Sequence, residues 1–361
     1  MRVILFTATG AENLGDELIT LCEIRELQKK EENIQITLFS HSIESTKRFL
    51  SSQKCSLEHL NIREYFPNNI RRHPLRNIKL LWGTIREIRI SDNIYIGGGG
   101  LLYSRDEEWH SPLLLWSLRT MICKLFWKKI IYLSLWITAK KEEISPLSSL
   151  LFKNTKISVR DTESLSRIQS LWYNGHVLPD PVWNLEVKKE NNAEKMIGIA
   201  LRSGFLPDQI LSETIRKLQE QWYEIVLLPH SLHPSDEVSH DGYYLQNFLF
   251  PWVRTSQTIE QTLNYYKRCH IILWMRFHSM ILASIYGIPF IGMSYGEKTS
   301  SLLSEIGWKY SLTGDRASSD TLLEAVRDIE SHYAELRDQL QKISIQMKEK
   351  YIQWFQTLLW K

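Results

Sequence analysis

Short apolar runs alternate with segments of helical spacing along most of the chain. The first run, at residues 2–7, leads through a glycine-containing loop into a segment with helical spacing that ends near residue 30. Further buried strands are predicted at residues 34–40, 93–96, 128–138, 156–159, 196–202, 224–231, 270–275 and 288–294. Helical segments lie between most of these runs, so parallel sheets with right-handed crossovers are expected in both halves.

A regular apolar pattern near the C-terminus predicts a long helical segment at residues 318–361. Its apolar positions recur at steps of four and three, at Leu322, Val326, Ile329, Tyr333, Leu336, Leu340, Ile343 and Met347. Such a seam either packs back on the first domain or pairs two subunits.

The length of 361 residues exceeds the usual size of one core and indicates two domains. We predict an N-terminal Rossmann-like α/β domain at 1–187, a polar linker at 188–195 and a C-terminal Rossmann-like domain at 196–361, which includes the helical segment. The two domains are expected to face a shared cleft with the ends of their strands.

Composition and charge describe a soluble globular protein. Hydrophobic residues make up 43% of the chain, and a net charge of +3 is too small to indicate nucleic acid as a partner. No apolar run approaches the roughly 18 residues needed to cross a bilayer, and the N-terminus has the pattern of a buried strand rather than a signal peptide. The four cysteines form no CxxC pair, which argues against zinc and disulfides and favours the cytoplasm.

Candidate chemistry begins at the stretch Arg276–Lys298, where an arginine and a histidine open an apolar helix. Arg276 and His278 are expected at the helix N-terminus, where backbone N–H groups and the helix dipole favour an anion. Lys298 follows the next predicted strand. These groups form either a site for a small anionic substrate or a structural helix cap with a surface lysine.

The first half offers three similar junctions between strands and loops. Asn13, Gly15 and Asp16 lie at the turn into the first helix, where Asp16 is either a helix cap or part of a site. The run Gly97–Gly100 follows a strand and indicates either close approach of a ligand or a tight turn. Arg160 is either a surface partner of Asp161 or an anion ligand at the carboxyl end of a strand.

Two other clusters have simpler explanations. Four tryptophans with neighbouring lysines, among them Lys128 and Lys129, suggest either a membrane interface or the packing of a large core; they are Trp109, Trp116, Trp127 and Trp136. A polar loop contains His230, His233, Asp236 and His240. Their spacing matches no zinc pattern, so no metal is predicted.

Together these junctions resemble the polysaccharide pyruvyl transferase family over most of the chain. The motifs that carry the resemblance are NLGDE at 13–17, IGGGGLL at 96–102, SVRD at 158–161, DP at 180–181, RFHS at 276–279 and GIPFIGMSYGEK at 287–298. The resemblance implies a two-domain fold similar to GT-B glycosyltransferases. It also implies transfer of pyruvate from phosphoenolpyruvate to two sugar hydroxyls as a cyclic ketal, without a cofactor, in the biosynthesis of cell-surface polysaccharides.

The resemblance also implies roles for particular residues. His278 and Asp16 are expected to be catalytic, and Arg160, Lys298 and Arg276 to bind substrate. We expect further substrate contacts from motif residues Asn13, Gly15, Gly98, Gly99 and Ser294. The sequence departs from the family at Phe277, where leucine is usual, and in the segment 133–140, where the family often has glycines. The second departure affects the part of the site that receives the acceptor.

Two other functions stay open from the sequence alone. A nucleotide-sugar glycosyltransferase would share the two-domain shape, and a catalytically inactive glycan-binding relative would keep the fold. If the acceptor is linked to lipid, the tryptophan and lysine region becomes a surface for peripheral contact with the inner face of the membrane.

Overall fold

The computed structural model divides the chain into two compact units. It describes residues 1–31, 33–68, 73–103, 112–188, 195–202, 206–233, 240–294, 303, 306–313 and 317–360, without the side chains of Trp274, Ser294, Thr313 and residues 358–360. Unit 1 comprises residues 1–11, 15–184 and 349–361, and unit 2 comprises residues 12–14 and 185–348.

Unit 1 contains a parallel sheet. Within the described residues its strands are β1 (Arg2–Phe6), β2 (Gln35–Ser40), β3 (Leu60–Glu64), β4 (Asn93–Ile96), β5 (Gly99–Leu102), β6 (Lys129–Ile137), β7 (Thr155–Val159) and β8 (His176–Val177). Their order is β3-β2-β1-β4-β6-β7-β8, and β5 pairs with β6. The connecting helices are α1 (Leu14–Lys30), α2 (Ile43–Ser52), α3 (Pro74–Ile90), α4 (Pro112–Leu125), α5 (Lys141–Ile144), α6 (Ser148–Phe152) and α7 (Thr162–Ser170).

The buried strands of this sheet confirm the apolar runs of the sequence. In β1 four of five residues are buried, as expected for a strand covered by helices on both faces. Strand β3 was not predicted, because its sequence LNIRE is mostly polar. It lies at the edge of the sheet, and none of its residues is fully buried. The chain is helical from Pro74 to Ile90.

Unit 2 contains a second parallel sheet. The strands found in its described residues are β9 (Met196–Ala200), β10 (Glu224–Leu227), β11 (Val253–Thr255), β12 (Ile271–Trp274), β13 (Phe290–Ser294) and β14 (Ser311–Thr313), in the order β11-β10-β9-β12-β13-β14. The helices are α8 (Asp208–Glu220), α9 (Asp241–Leu245), α10 (Ile259–Tyr266), α11 (Phe277–Tyr286), α12 (Ser319–Ser331) and α13 (Tyr333–Trp360). The two edge strands, each of three residues, are too short to give a pattern in the sequence.

The C-terminal segment is helical as predicted, but it is two helices rather than one. Helix α12 ends at Ser331 because His332 has a non-helical ψ of 18°, and its N–H closes the turn on the carbonyls of Asp328 and Ile329. The predicted seam is buried at Leu322, Val326, Ile329, Leu336, Leu340 and Met347. Residues 349–361 pack with unit 1, where Tyr351 and Phe355 are buried, although the sequence pattern assigns them to the second domain.

No helix in the described part of the chain is both long enough and apolar enough to cross a membrane.

Candidate functional site

The motif residues of unit 1 lie at one edge of its sheet. Because all of its strand pairs are parallel, their carboxyl ends meet at the same edge. The loop at residues 7–13 follows β1, the run Gly97–Gly100 follows β4, and Arg160 follows β7 directly. Asp180 lies three residues beyond Val177, the last residue of the neighbouring short strand β8.

Arg160 is buried and held from two sides. Its Nη1 lies 3.4 Å from Asp180 Oδ2, and its guanidinium carbon lies 4.3 Å from the centre of the Trp136 ring. The more distant Asp161 Oδ2 lies 3.8 Å from Arg160 Nε, and only 6% of the arginine side chain is exposed. Burial lowers the pKa of Arg160, while the negative charges of Asp180, Asp161 and Asp16 oppose this shift. Arg160 therefore does lie close to Asp161, but its side chain is buried rather than at the surface.

The glycine run packs against a buried acid, Glu23 of α1. The N–H of Gly98 donates to Glu23 Oε1 at 2.8 Å, and a Cβ on Gly97 would lie 2.1 Å from Glu23 Oε2. Burial raises the pKa of Glu23 to about 8, although the Gly98 hydrogen bond lowers it; the charge of Asp180 adds to the increase. No described group hydrogen-bonds to Glu23 Oε2. At Gly97 the absence of a side chain therefore makes room for the protein's own glutamate.

Asp16 lies inside the first turn of α1 rather than at its cap. The helix begins at Leu14, so Asp16 is its third residue, immediately after Gly15, and its charge is favourable at the positive end of the helix dipole. A Cβ on Gly99, which has φ +96°, would lie 3.0 Å from Asp16 Oδ1. Since the charge of Asp16 also raises the pKa of Arg160, these predicted residues lie in one neighbourhood of unit 1.

In unit 2 the predicted arginine lies where β12 passes into α11. Arg276 occupies the N-cap position of that helix, and its Nε donates to Asp241 Oδ2 at 3.0 Å. Its Nη2 forms an ion pair with Asp241 Oδ1. The same carboxylate accepts hydrogen bonds from the backbone N–H groups of His230 (3.0 Å) and Ser231 (3.1 Å). Asp241, only 2% exposed, thus holds both the side chain of Arg276 and the backbone of the segment that follows β10, at His230 and Ser231.

His278 is the second residue of α11 and lies beside a network of buried polar groups. His230 Nε2 and Tyr266 Oη are 2.7 Å apart, and Tyr266 Oη donates to Ser279 Oγ at 2.5 Å. Since the tyrosine has one proton to donate, its oxygen accepts from His230 Nε2. Burial lowers the pKa of His230 well below its ordinary value, and positive charge at Arg276 and His278 lowers it further. His230 is therefore a neutral imidazole that supports the start of α11.

Asn13 belongs to unit 2 together with its two neighbours. It forms an antiparallel bridge with Ser231, and Leu14 N donates to His230 O at 2.8 Å. Through this bridge Asn13 lies next to the backbone that Asp241 binds. The structure thus brings Asn13, Arg276 and His278 together in unit 2 and Gly15, Asp16, Gly98, Gly99 and Arg160 in unit 1.

Some predicted residues lie outside the described part of the chain. Lys298, Asp236 and Trp109 are among them, and Ser294 is described as the last residue of β13 without its side chain. Within the described residues, no group of three His, Cys, Asp or Glu side chains is placed to hold a metal ion.

The tryptophan region divides into core and surface. Trp116 is buried and lies beside the guanidinium of Arg119, as core packing requires. Trp136 is half-buried under Arg160. Trp127 is 95% exposed. The core interpretation therefore holds for Trp116, whereas Trp127 is a surface residue.

Several residues of these two neighbourhoods were not predicted from the sequence: Glu23, Trp136, Asp241 and Tyr266. Glu23 gave one signal, because it is a lone acid in the apolar segment Leu18–Ile24. No spacing in the sequence indicated the contact of Asp241 with Arg276 or that of Tyr266 with Ser279.

Comparison with solved structures gives the same two-sheet α/β fold. UDP-GlcNAc 2-epimerase from Neisseria meningitidis, bound to UDP-GlcNAc, matches with a TM-score of 0.65 and 14% identity, over 100% of both chains. Anabaena HepE in complex with UDP and glucose matches with a TM-score of 0.65 and 12% identity, over 99% of both chains. A glycosyltransferase from Rickettsia africae matches with a TM-score of 0.59 and 14% identity, over 99% of this chain and 98% of that one. These similarities confirm the predicted GT-B-like fold.

Comparison with curated protein sequences gives no match. Comparison with family models does give one, and it covers the segment from the NLGDE motif to the residue before Lys298. The model is that of polysaccharide pyruvyl transferase, and it matches residues 13–297. The match spans far more than half of the 361 residues and includes the residues placed at the strand ends of both units, so the chain belongs to the polysaccharide pyruvyl transferase family.

Proposed function

We propose that the protein transfers pyruvate from phosphoenolpyruvate to a pair of hydroxyl groups on a saccharide. The observation that carries this proposal is the family match over residues 13–297. The acceptor is a sugar of a cell-surface polysaccharide precursor, and the product is a cyclic pyruvate ketal. Phosphoenolpyruvate acts as a substrate and no cofactor takes part.

The reaction needs proton transfer and anion binding. The methylene carbon of phosphoenolpyruvate gains a proton, which makes its C2 carbon electrophilic. One sugar hydroxyl attacks C2 and loses a proton. The C2–O bond to phosphate then breaks, inorganic phosphate leaves, and the second hydroxyl attacks C2 and loses its proton. One of the two released protons replaces the one added to the methylene, and the other leaves with phosphate.

Unit 2 supports a role in anion binding and proton transfer. Arg276 is oriented by two contacts with Asp241 at the N-terminus of α11, where backbone N–H groups and the helix dipole stabilise negative charge. His278 lies two residues after Arg276 in the first turn of α11. Histidine is the side chain that exchanges protons near neutral pH. A carboxylate or phosphate oxygen of the donor bound at this helix end would meet all of these groups.

Unit 1 supports binding of a second anionic or hydroxyl group. Arg160 is held by Asp180 and the Trp136 ring, so its planar fork is already oriented for a bidentate contact. Asp16 in the first turn of α1 is a carboxylate that can accept or orient a hydroxyl proton. We assign proton transfer to His278 and Asp16 and substrate binding to Arg160, Arg276 and Lys298.

The proposal is tested by incubating the purified protein with phosphoenolpyruvate and a panel of glycans. We expect release of inorganic phosphate and a pyruvyl group on one glycan, detected by mass spectrometry. His278→Ala should abolish both products while circular dichroism stays unchanged. His332→Ala, which changes a histidine at the surface end of α12, is the matched control and should remain active. Full activity of His278→Ala would refute the role of this residue.

A nucleotide-sugar glycosyltransferase is the second candidate, because the similar structures of the epimerase and of HepE contain UDP-GlcNAc and UDP. Ligand protection against thermal unfolding separates the two functions. We expect phosphoenolpyruvate to raise the melting temperature and UDP- or GDP-sugars to leave it unchanged. The opposite result would favour the glycosyltransferase. Protection by neither donor, with no product from any glycan, would favour the inactive relative.

A further inference from the structure

Helix α3 of unit 1 exposes an apolar stripe to solvent. Leu75, Ile78 and Trp82 are 77%, 53% and 67% exposed. Their spacing of three and four residues places them on one face of the helix. The opposite side of the helix is buried, at Asn77, Thr84, Glu87 and Ile88. Large apolar side chains are seldom left together on a helix surface without a partner, so this stripe marks a contact surface.

The same helix surface is basic. Lys79, Arg86 and Arg89 are exposed, and their side chains make no hydrogen bond or ion pair with any residue in the described part of the chain. The acid within α3, Glu87, is buried and bonded to Arg63 Nη2 at 2.7 Å. The exposed face of α3 therefore combines apolar side chains with uncompensated positive charge.

Trp127 extends this surface at the C-terminal end of α3. Lys128 Nζ donates to the carbonyl oxygens of Arg89 at 3.0 Å and Ser91 at 2.6 Å. These two bonds hold the loop after α4 against the end of α3. Trp127 in that loop has φ 57° and is 95% exposed, and Ile90 is 45% exposed. We call the face of α3 together with Trp127 the α3 surface.

A groove of about 460 Å³ adjoins the α3 surface beside the amino ends of β1, β2 and β3. Its ionisable lining residues are Arg2, Glu58, His59, Arg63, Arg86 and Glu87. Glu87 is already paired with Arg63. The two remaining arginines, Arg2 and Arg86, exceed the one remaining acid, Glu58, so the groove has an excess of one positive charge. Arg86 belongs to both the groove and the α3 surface. A groove of this size and charge can hold a phosphate headgroup.

We propose that the α3 surface docks the protein on the surface of an anionic phospholipid bilayer. Tryptophan, leucine and isoleucine enter the boundary between headgroups and acyl chains, while lysine and arginine side chains reach back to the phosphates. Lipids with negative charge complement Lys79, Arg86, Arg89 and the groove. Contact with a second copy of the chain through the same surface is disfavoured, because a two-fold contact would bring these like charges together. The proposal does not depend on the pyruvyltransferase assignment.

Sedimentation of the full-length protein with vesicles tests this proposal. We expect binding to phosphatidylcholine vesicles that contain phosphatidylglycerol, weak binding to phosphatidylcholine alone, and release at high salt. Trp82→Glu should weaken binding about tenfold or more, because it removes an inserted apolar ring and adds a like charge to that of the lipid. Each cation removed should cost about fivefold, so K79Q/R86Q should weaken binding about 25-fold.

The matched control is Trp222→Glu, since Trp222 is 90% exposed but lies after α8 in unit 2. This control should bind vesicles like the wild type. Three outcomes would overturn the proposal: wild-type protein that stays in the supernatant with anionic vesicles, equal losses in Trp82→Glu and Trp222→Glu, or undiminished binding of K79Q/R86Q. Light scattering gives a fourth: if Trp82→Glu splits a dimer without changing vesicle binding, the α3 surface joins two copies instead. Circular dichroism verifies that each variant is folded.

Discussion

Replacing Glu23 by glutamine should make the protein more stable at alkaline pH. Glu23 is completely buried, and its Oε1 accepts a hydrogen bond from Gly98 N at 2.8 Å. Glutamine has almost the same shape as a protonated glutamate, so its carbonyl oxygen can keep this bond. Its amide takes the place of Oε2, which no described group contacts by hydrogen bonding. The substitution thus removes a buried charge with little change in packing.

The size of the effect follows from the pKa of Glu23. Burial raises this pKa from 4.5 to about 8. The Gly98 hydrogen bond lowers it, and the negative charge of Asp180 raises it further. The buried Tyr351 hydroxyl and the Cys22 thiol also lie in this region. Between these two pH values the unfolded chain has lost the proton and the folded protein keeps it, so stability falls as pH rises. The whole fall amounts to about 5 kcal/mol. Above about pH 8 the folded state also loses the proton, and the fall ends.

Urea unfolding of wild type and Glu23→Gln across this pH range measures the effect. The two proteins should have similar free energies of unfolding near pH 4.5, and the variant should gain steadily until about pH 8. Glu87→Gln is the control, because that buried acid has a partner in Arg63 at 2.7 Å. It should lose stability rather than gain it. Parallel curves for wild type and Glu23→Gln, or a Glu23→Gln variant that is less stable at alkaline pH, would refute the reasoning.

Two further substitutions test the residues that orient the arginines. Asp241→Asn removes the charged partner of Arg276 and should lower the free energy of unfolding by about 3 kcal/mol. It should also abolish thermal protection by phosphoenolpyruvate. The control Glu220→Gln, in an exposed pair with Arg216, should change the free energy of unfolding by less than about 1 kcal/mol. Trp136→Leu removes the ring beside Arg160 and should raise the KM for phosphoenolpyruvate about fivefold through loss of about 1 kcal/mol of cation–π attraction; an unchanged KM would mean that Arg160 does not bind the donor.

The central strands could be predicted from the sequence, whereas the edge strands could not. Strands such as β1 and β9 are buried on both faces and read as continuous apolar runs. Strand β3 lies at the sheet edge with only partial burial, and β11 and β14 have three residues each, so neither length nor apolar pattern marks them. The break at His332 was missed for a related reason, since the apolar seam continues across it and only the backbone changes direction.

Most of the predicted site residues share a property that a sequence can reveal: they follow a strand or lie at the start of a helix. Arg160 comes directly after β7, and Arg276 directly before α11. The residues that hold them lie elsewhere in the chain, because Asp180 and Asp241 reach the arginines only through the packing of separate segments. The order of residues along the chain does not show which distant segments come into contact in the fold. Motifs therefore located the arginines and their helix ends but not the carboxylates that orient them.

Both arginines have the same arrangement, although they belong to different units. Each arginine comes just after an interior strand of its sheet, and each is bound by an almost completely buried aspartate. A buried carboxylate favours the charged form of the arginine, because a neutral guanidinium would leave the aspartate as an unpaired buried charge. It also fixes the direction of the remaining donors before any substrate arrives, so less free energy is lost in ordering them on binding. If anion binding depends on this orientation, an Asp180→Asn variant should weaken phosphoenolpyruvate binding without any change in the number of cations. Net positive charge alone would predict the opposite, because removing Asp180 makes the region more positive.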